Sequence, residues 1–359
     1  MNLLLFHTGS LGDTLVVVPA LWALRDHFKD ARITMLSDSQ MGRALVTSRE
    51  VLEGSGLVDE FIAYPVYQGR ERLSARFSVM ANLFLTLRRK RFDTLAYLIR
   101  ERRGDYSARR SWRDHFFFHA AGISQVIGTT GPADASANIG GNSLPFVQNQ
   151  ADEFLVRLSR SGVKVPSPRQ GKMSLNVGAA ERKGVDDWLA GLPPDGGSPW
   201  IAVGPGSKMP TKVWPTERYR EVVERLIQKW DVWPVVFGGS EDRQLGEELV
   251  RYWGRGHVAA GVLGIRVGIA ALQRCRFYLG NDTGTMHMAV AAGIRCVAVF
   301  SARDYPGLWY PYGSGHTVFR VQLPCEGCML EVCHEKGNAC LLAIDMDEVY
   351  SASARMMEG

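Results

Sequence analysis

Short apolar runs alternate along the chain with longer segments of helical periodicity, and this rhythm limits the possible folds more than anything else in the sequence. NLLLFH (residues 2–7), ARITMLSD (31–38) and FDTLAYLI (92–99) read as buried strands. Residues 13–28 read as a helix, with Pro19 either near its start or kinking it. Strand–helix alternation of this kind predicts a parallel sheet covered by helices. Between about residues 165 and 199 the rhythm breaks at PSPRQGK and GLPPDGGSP, an expected linker enclosing one helix at 180–190. A second series follows: WIAVGPGS, a helix at 217–229, VWPVVFGG, a helix at 243–253, CRFYLGN, a helix from Thr283, and CVAVFSA. The expected architecture is α/β, two Rossmann-like domains facing a cleft. Residues 1–175 form the first domain, 176–345 the second, and 346–359 a C-terminal helix. Ligands in open α/β sheets bind beyond the carboxyl ends of the strands, and the glycine-bearing loops of this chain fall there.

The 359 residues, 46% apolar and 22% charged, suit a globular chain of two domains. MNLLLFHTGSLGD lacks the basic region and long apolar run of a secretion signal. No window approaches the ~18 apolar residues of a membrane span, so a soluble cytoplasmic protein is expected. The net charge of +5 is uneven: residues 88–113 hold ten Lys/Arg against three Asp/Glu. Such a stretch suits an anionic partner, or is a solvated helix face and loop. No nucleic-acid-binding motif accompanies it, so a nucleic-acid partner is not expected. Cys275 and Cys296 sit in apolar surroundings and read as core. Cys325, Cys328, Cys333 and Cys340 fall within sixteen residues. They predict a structural zinc site or reduced thiols ahead of disulfides.

Four strand-to-helix loops carry candidate chemistry. HTGSLGD leaves Asp13 at a helix start after His7, Gly9 and Gly12, as an N-cap or as a free carboxylate facing a ligand. VGPGSKMPTKVWP offers Gly204 and Gly206 with bare amides, Ser207 and Thr211 with hydroxyls, and Lys208 and Lys212 with charge, the makings of a phosphate site. FGGSEDR sets Glu241 where it can accept two ribose hydroxyls or act as first-turn helix charge. LGNDTGTMHMAVAAG is the most specific of the four. Thr283 and Gly284 open a helix, His287 lies one turn on along the same face, and Asp282 caps the helix or binds sugar hydroxyls. Tyr305, Trp309 and Tyr310 stack on a base or sugar, or pack in the core. Diphosphate, ribose and a carboxylate base together describe sugar transfer from a nucleotide donor to a hydroxyl.

SLGDTLVVVPALWAL, GPGSKMPTKVWPTERY, FGGSED and GNDTGTMHMAVAAG, with the downstream cysteines, resemble glycosyltransferase family 9, the bacterial heptosyltransferases of lipopolysaccharide core assembly. The resemblance covers nearly the whole chain and is weakest over residues 40–175. It implies a GT-B fold, with an N-terminal acceptor domain and a C-terminal donor domain. It implies metal-independent, inverting transfer, typically from ADP-L-glycero-D-manno-heptose, with no cofactor required for catalysis. By position, Asp13 would be the general base and Lys212 would neutralise the leaving diphosphate. Glu241 would hold the ribose, and Gly206, Ser207, Thr211, Asp282, Thr283, Gly284 and His287 would line the donor pocket. His7, Gly12, Arg102, Arg103, Arg109 and Arg110 are the candidate acceptor contacts. The acceptor expected is an acidic glycan or lipid-linked inner core, with peripheral contact at the inner membrane. His7 replaces the arginine or lysine of many members, and Phe300-Ser301-Ala302-Arg303 replaces their F-G-x-T. The added Arg303 is placed to meet a phosphate or an acidic sugar. A nucleotide-sugar 2-epimerase and a non-catalytic nucleotide-sugar binding protein share the architecture and stay open as alternatives.

Overall fold

In a computed structural model of the chain the described residues are 1–38, 46–64, 73–100, 105–129 and 144–358, and the side chains of 73–76 and 105–111 lie outside the description. The backbone forms two compact units, Met1–Asn138 with Gln150–Lys172, and Ile139–Asn149 with Met173–Gly359. Among the described residues no helix is long and apolar enough to cross a membrane.

The first unit runs β1 (Asn2–Phe6), α1 (Leu11–His27), β2 (Arg32–Asp38), α2 (Ser48–Leu52), β3 (Glu60–Tyr64), α3 (Leu73–Lys90), β4 (Thr94–Tyr97), α4 (Asp105–Ala120), β5 (Gln125–Ile127) and α5 (Gln150–Arg160). Its five strands are parallel in the order β3-β2-β1-β4-β5, with Leu4 level with both Thr34 and Leu95. Leu4, Phe6, Leu95 and Tyr97 pack with Leu83 and Leu87 of α3 and Phe118 of α4. α1 is buried from Thr14 to Leu21 and packs on α5, which explains its lack of a polar face. Pro19 sits inside this unbroken helix.

Arg157 of α5 is a buried cation, 1% exposed. A buried charge is tolerated only when hydrogen-bonded. Its guanidinium donates to the carbonyls of Gly128 (2.7 Å), Ile99 (2.9 Å) and Tyr97 (2.7 Å), so α5 clamps the backbone where β4 and β5 end.

The second unit runs α6 (Ala179–Leu189), β6 (Trp200–Gly204), α7 (Thr216–Trp230), β7 (Trp233–Val236), α8 (Arg243–Trp253), β8 (His257–Val258), α9 (Ile265–Leu272), β9 (Cys275–Asn281), α10 (Gly284–Ala291), β10 (Arg295–Val299), β11 (Thr317–Phe319), α11 (Ala339–Leu342) and α12 (Met346–Glu358). Six parallel strands lie in the order β11-β10-β9-β6-β7-β8. Ile201, Val203, Phe277, Leu279, Val297 and Val299 form a core with Val222 and Leu226 of α7 and Val349 and Met356 of α12. Residues 144–149 belong with this unit: Val147 N–H donates to Pro306 O (2.9 Å), and the Asn149 amide donates to the carbonyls of Gly307 and Tyr310.

The α/β expectation holds in both series. Strand order reverses between β1 and β4 in the first unit and between β6 and β9 in the second. Helices leave opposite faces of the sheet there, which opens a crevice at the strand ends.

Candidate active site

At the first unit's switch point, Asp13 lies in the first turn of α1 and closes a capping box on Ser10. Its Oδ2 accepts from Ser10 N–H and from Ser10 Oγ–H, both at 3.0 Å. Gly9, at φ +152°, makes this possible, because a Cβ there would stand 2.3 Å from the Asp13 Cβ. Gly12 sits beside Asp13 in the same first turn. The second oxygen, Oδ1, lies 3.5 Å from the Arg100 guanidinium, with 26% of the Asp13 side chain and 32% of Arg100 exposed. Asp13 is therefore not the N-cap, which is Ser10, but the third helical residue, with one oxygen holding the helix start and the other facing a cation.

His7 does not face solvent as an acceptor contact would. It is 0% exposed, its Nδ1–H donates to Leu98 O (2.8 Å), and its ring meets Phe154 edge-on. Burial holds its pKa below the ordinary 6.5, against the opposing pull of the Leu98 carbonyl and Asp13. Buried in this way, His7 supports the loop after β4 as a neutral imidazole. Leu98 is thus held by His7, and Tyr97 and Ile99 by Arg157, so the residue that follows, Arg100, leaves a fixed backbone. Arg102 and Arg103 lie outside the described residues. Arg109 and Arg110 fall on α4, with side chains outside the description.

At the second unit's switch point, Lys212 and Asp282 form an ion pair at 2.5 Å, with 14% and 7% of their side chains exposed. Thr283 is the N-cap of α10 by backbone, and its side chain makes no cap hydrogen bond, while Met286 N–H donates to Thr283 O (3.1 Å). Gly284 is the first helical residue. His287 is buried and meets Trp309 edge-on at 6.3 Å.

The glycines here have a more particular purpose than bare amides. Cβ atoms at Gly204 and Gly280 would fall 2.0 and 2.3 Å from the Tyr278 hydroxyl, so those residues leave room for a buried phenol lying along the strand ends. Cβ atoms at Gly206 and Gly238 would fall 1.9 and 2.4 Å from the Asp242 carboxylate. Asp242 accepts from Gly239 N–H (2.9 Å). Burial raises its pKa and neighbouring Glu241 adds to this, while Gly239 and Lys208 oppose it. Glu241 itself is exposed and lies 3.6 Å from Lys208. Sequence reasoning passed over Asp242, which is adjacent to the acid it chose.

Asn281 was missed as well, although it precedes Asp282 in the most specific motif. It is 0% exposed. Its Oδ1 accepts from Trp214 N–H (3.1 Å) and Tyr219 O–H (2.8 Å), and its Nδ2 donates to Pro205 O (2.7 Å) and Gly206 O (3.5 Å). One amide therefore joins the end of β9, the loop after β6 and the entrance of α7.

Two expected donor contacts are engaged elsewhere. The Thr211 hydroxyl donates to Leu330 O (2.9 Å), with Glu331 O at 3.2 Å. Arg303 donates to Leu330 O (2.8 Å) and Met329 O (2.9 Å). Both hold the cysteine-bearing segment and are not presented to a phosphate. Ser207 accepts from Met209 N–H (3.1 Å) and lines an open depression of about 430 Å³ with Pro210, Val213, Pro215 and Leu342. Trp309 donates to Asp304 (3.2 Å), and Tyr310 packs on Phe300 and Phe146, as core aromatics do.

Cys325, Cys328, Cys333 and Cys340 are all free thiols. Burial raises the pKa of Cys340. Among the described residues no group of three or more His, Cys, Asp or Glu is arranged to hold a metal, so the expected zinc ligand set is not assembled. The carbonyl contacts from Thr211 and Arg303 organise this segment instead.

The fold and the two switch-point sites define a two-unit α/β enzyme of the GT-B class. The model of glycosyltransferase family 9 (heptosyltransferase) matches residues 160–339, half of the chain, and the chain belongs to that family of glycosyltransferases. It is 27% identical over 144 residues to lipopolysaccharide heptosyltransferase 1 of Pseudomonas aeruginosa, a match spanning 39% of each chain. It is 19% identical to lipooligosaccharide heptosyltransferase 2 of Campylobacter jejuni over 97% of this chain and 96% of the relative. The solved structure of the Escherichia coli ADP-heptose lps heptosyltransferase II superposes with a TM-score of 0.70 at 19% identity, covering 99% of this chain and 98% of that one.

Proposed function

We propose that the chain is an inverting, metal-independent transferase that moves heptose from ADP-heptose to a hydroxyl of an acidic lipopolysaccharide inner-core acceptor on the cytoplasmic face of the inner membrane. The observation that carries this reading is the Lys212–Asp282 pair at the start of α10 at the β6/β9 switch point. A diphosphate leaving group develops negative charge as its bond to the sugar breaks. An ammonium and helix amides fixed in advance stabilise that charge without reorganising. Asp282 fixes where the ammonium sits and offers its carboxylate to sugar hydroxyls. Gly206, Glu241, Thr283 and His287 complete the donor pocket.

Asp13 supplies the other half. Its Oδ1 takes the proton of the acceptor hydroxyl, and that oxygen attacks the anomeric carbon from the face opposite the leaving diphosphate. The new C–O bond forms as the sugar–phosphate bond breaks, and ADP departs with the bonding electrons. Such a base contributes about 10²–10⁴-fold in rate. Arg100, 3.5 Å from Asp13 Oδ1, meets the anionic group of the acceptor beside the attacked hydroxyl.

Thermal denaturation with ADP, UDP and GDP at equal excess tests the donor. At ~100 Kd a ligand stabilises by about 2.7 kcal/mol. Selective stabilisation by ADP is expected. Preference for UDP or GDP would replace ADP-heptose as the donor, and no shift with any of them would remove the donor site.

A further inference from the structure

On the outer face of the first unit, α3 and α4 meet through Phe84 and Phe117, whose rings lie 5.9 Å apart. Behind that contact Leu83, Leu87 and Phe118 join the core. In front of it the helices display large apolar side chains to solvent: Phe77 is 76% exposed, Leu85 52%, Trp112 72% and Phe116 66%. Trp112 and Phe116, one turn apart on α4, stack on each other at 6.0 Å with an interplanar angle of 17°. An outward helix face is ordinarily polar. Isolated exposed apolar residues need no explanation, but a group of large ones on adjoining helices marks a contact surface.

Cations border the group. The Arg88 guanidinium lies over the Phe84 ring at 5.9 Å, Arg89 is exposed beside it, and Arg113, on the helix of Trp112 and Phe116, is 64% exposed while pairing with Asp114 at 2.8 Å. Over residues 88–113 the sequence carries ten Lys/Arg against three Asp/Glu. A second copy of this chain would oppose that positive charge with the same charge. A soluble acidic glycan would match the cations and stack on Trp112, and would leave Phe77 and Leu85 in water. The partner that takes both is a bilayer with anionic headgroups, in which rings sit at the acyl boundary and arginines reach phosphates.

We infer that the α3–α4 face docks on an anionic phospholipid bilayer, with Trp112, Phe116 and Phe77 entering the interface and Arg88, Arg89 and Arg113 meeting the headgroups. This names a membrane contact for the transferase proposed above and rests on that reading for its purpose. Vesicle binding is measured without donor or acceptor, so the two fail separately.

The test is co-sedimentation of the full chain with vesicles of phosphatidylcholine alone or with 30 mol% phosphatidylglycerol. Binding is expected only to the anionic vesicles, weakening as salt is raised. The double variant Trp112→Ser/Phe116→Ser is expected to lower the partition coefficient at least tenfold, and Arg88→Ser/Arg89→Ser by about as much. Because these side chains are exposed, melting temperatures should stay unchanged, and so should ADP binding. Absence of binding to anionic vesicles, equal binding to neutral ones, or unaltered binding by the Trp112/Phe116 variant would overturn the inference. So would self-association in sedimentation velocity that the same variant abolishes while vesicle binding persists, which would give the face to a second copy.

Discussion

At the first unit's switch point Asp13 keeps 26% of its side chain exposed and meets Arg100 at 3.5 Å, whereas at the second Lys212 and Asp282 close to 2.5 Å with 14% and 7% exposed. Both are acid–base pairs at the carboxyl ends of parallel strands, yet they suit different tasks. A loosely held, half-open carboxylate can exchange its partner for a hydroxyl proton. A tight, nearly dry pair cannot be given up cheaply, so it fixes a charge in place. In the proposed function the contrast suits the first site to proton transfer and the second to electrostatic stabilisation.

The largest expected effect comes from the open site. Asp13→Asn keeps the Ser10 contact and removes the base, so transfer should fall by about 10²–10⁴-fold while ADP affinity measured by calorimetry stays as in the parent. Near-normal turnover would erase the division of labour. At the closed site, Lys212→Ala leaves Asp282 buried without its cation. Such a break costs about 3–5 kcal/mol in stability, together with a rate loss of about 10²-fold. Lys212→Met with Asp282→Leu should recover the melting temperature and not the rate. Recovery of both would show that the pair is structural only.

A smaller effect is expected at Asn281. Asn281→Ala strands Trp214 N–H and Pro205 O, at about 1–3 kcal/mol for unsatisfied buried groups. It should raise the KM for the donor more than that for the acceptor, and a change confined to the acceptor would contradict its placement. The smallest effect is at His7. Its folded pKa lies below 6.5, so the unfolded chain binds the extra proton first as pH falls. Stability from the neutral imidazole is complete above about pH 6.5 and is lost as pH falls through the folded value. His7→Gln should flatten the melting temperature across that window, and an unchanged slope would assign it to other groups.

The parallel sheets were legible because the central strands here are short, mostly apolar runs, as in NLLLF and WIAVG, and that pattern survives without knowledge of neighbours. The placement of Asp13 and Asp282 was legible for a similar reason, since a helix start after a strand end has a fixed geometry. What could not be read were contacts made across long separations. Thr211 gives its hydroxyl to a carbonyl 119 residues away. Gly206 is a glycine because of Asp242, on a different loop. Arg100 was hidden in a run of cations, and only the strand order, which places β4 beside β1, distinguishes it from its neighbours. The two-residue β8 was too short to show any periodicity.

The central claim of the proposed function is that Asp13 acts as the base and Lys212 stabilises the leaving group. The most direct measurement is mass spectrometry of an acidic inner-core acceptor incubated with ADP-heptose and either the parent chain or Asp13→Asn. The account predicts one added heptosyl unit per ADP released with the parent, no release without acceptor, and loss of product in the variant. Release of ADP without acceptor, or an unmodified acceptor with the parent chain, would contradict it.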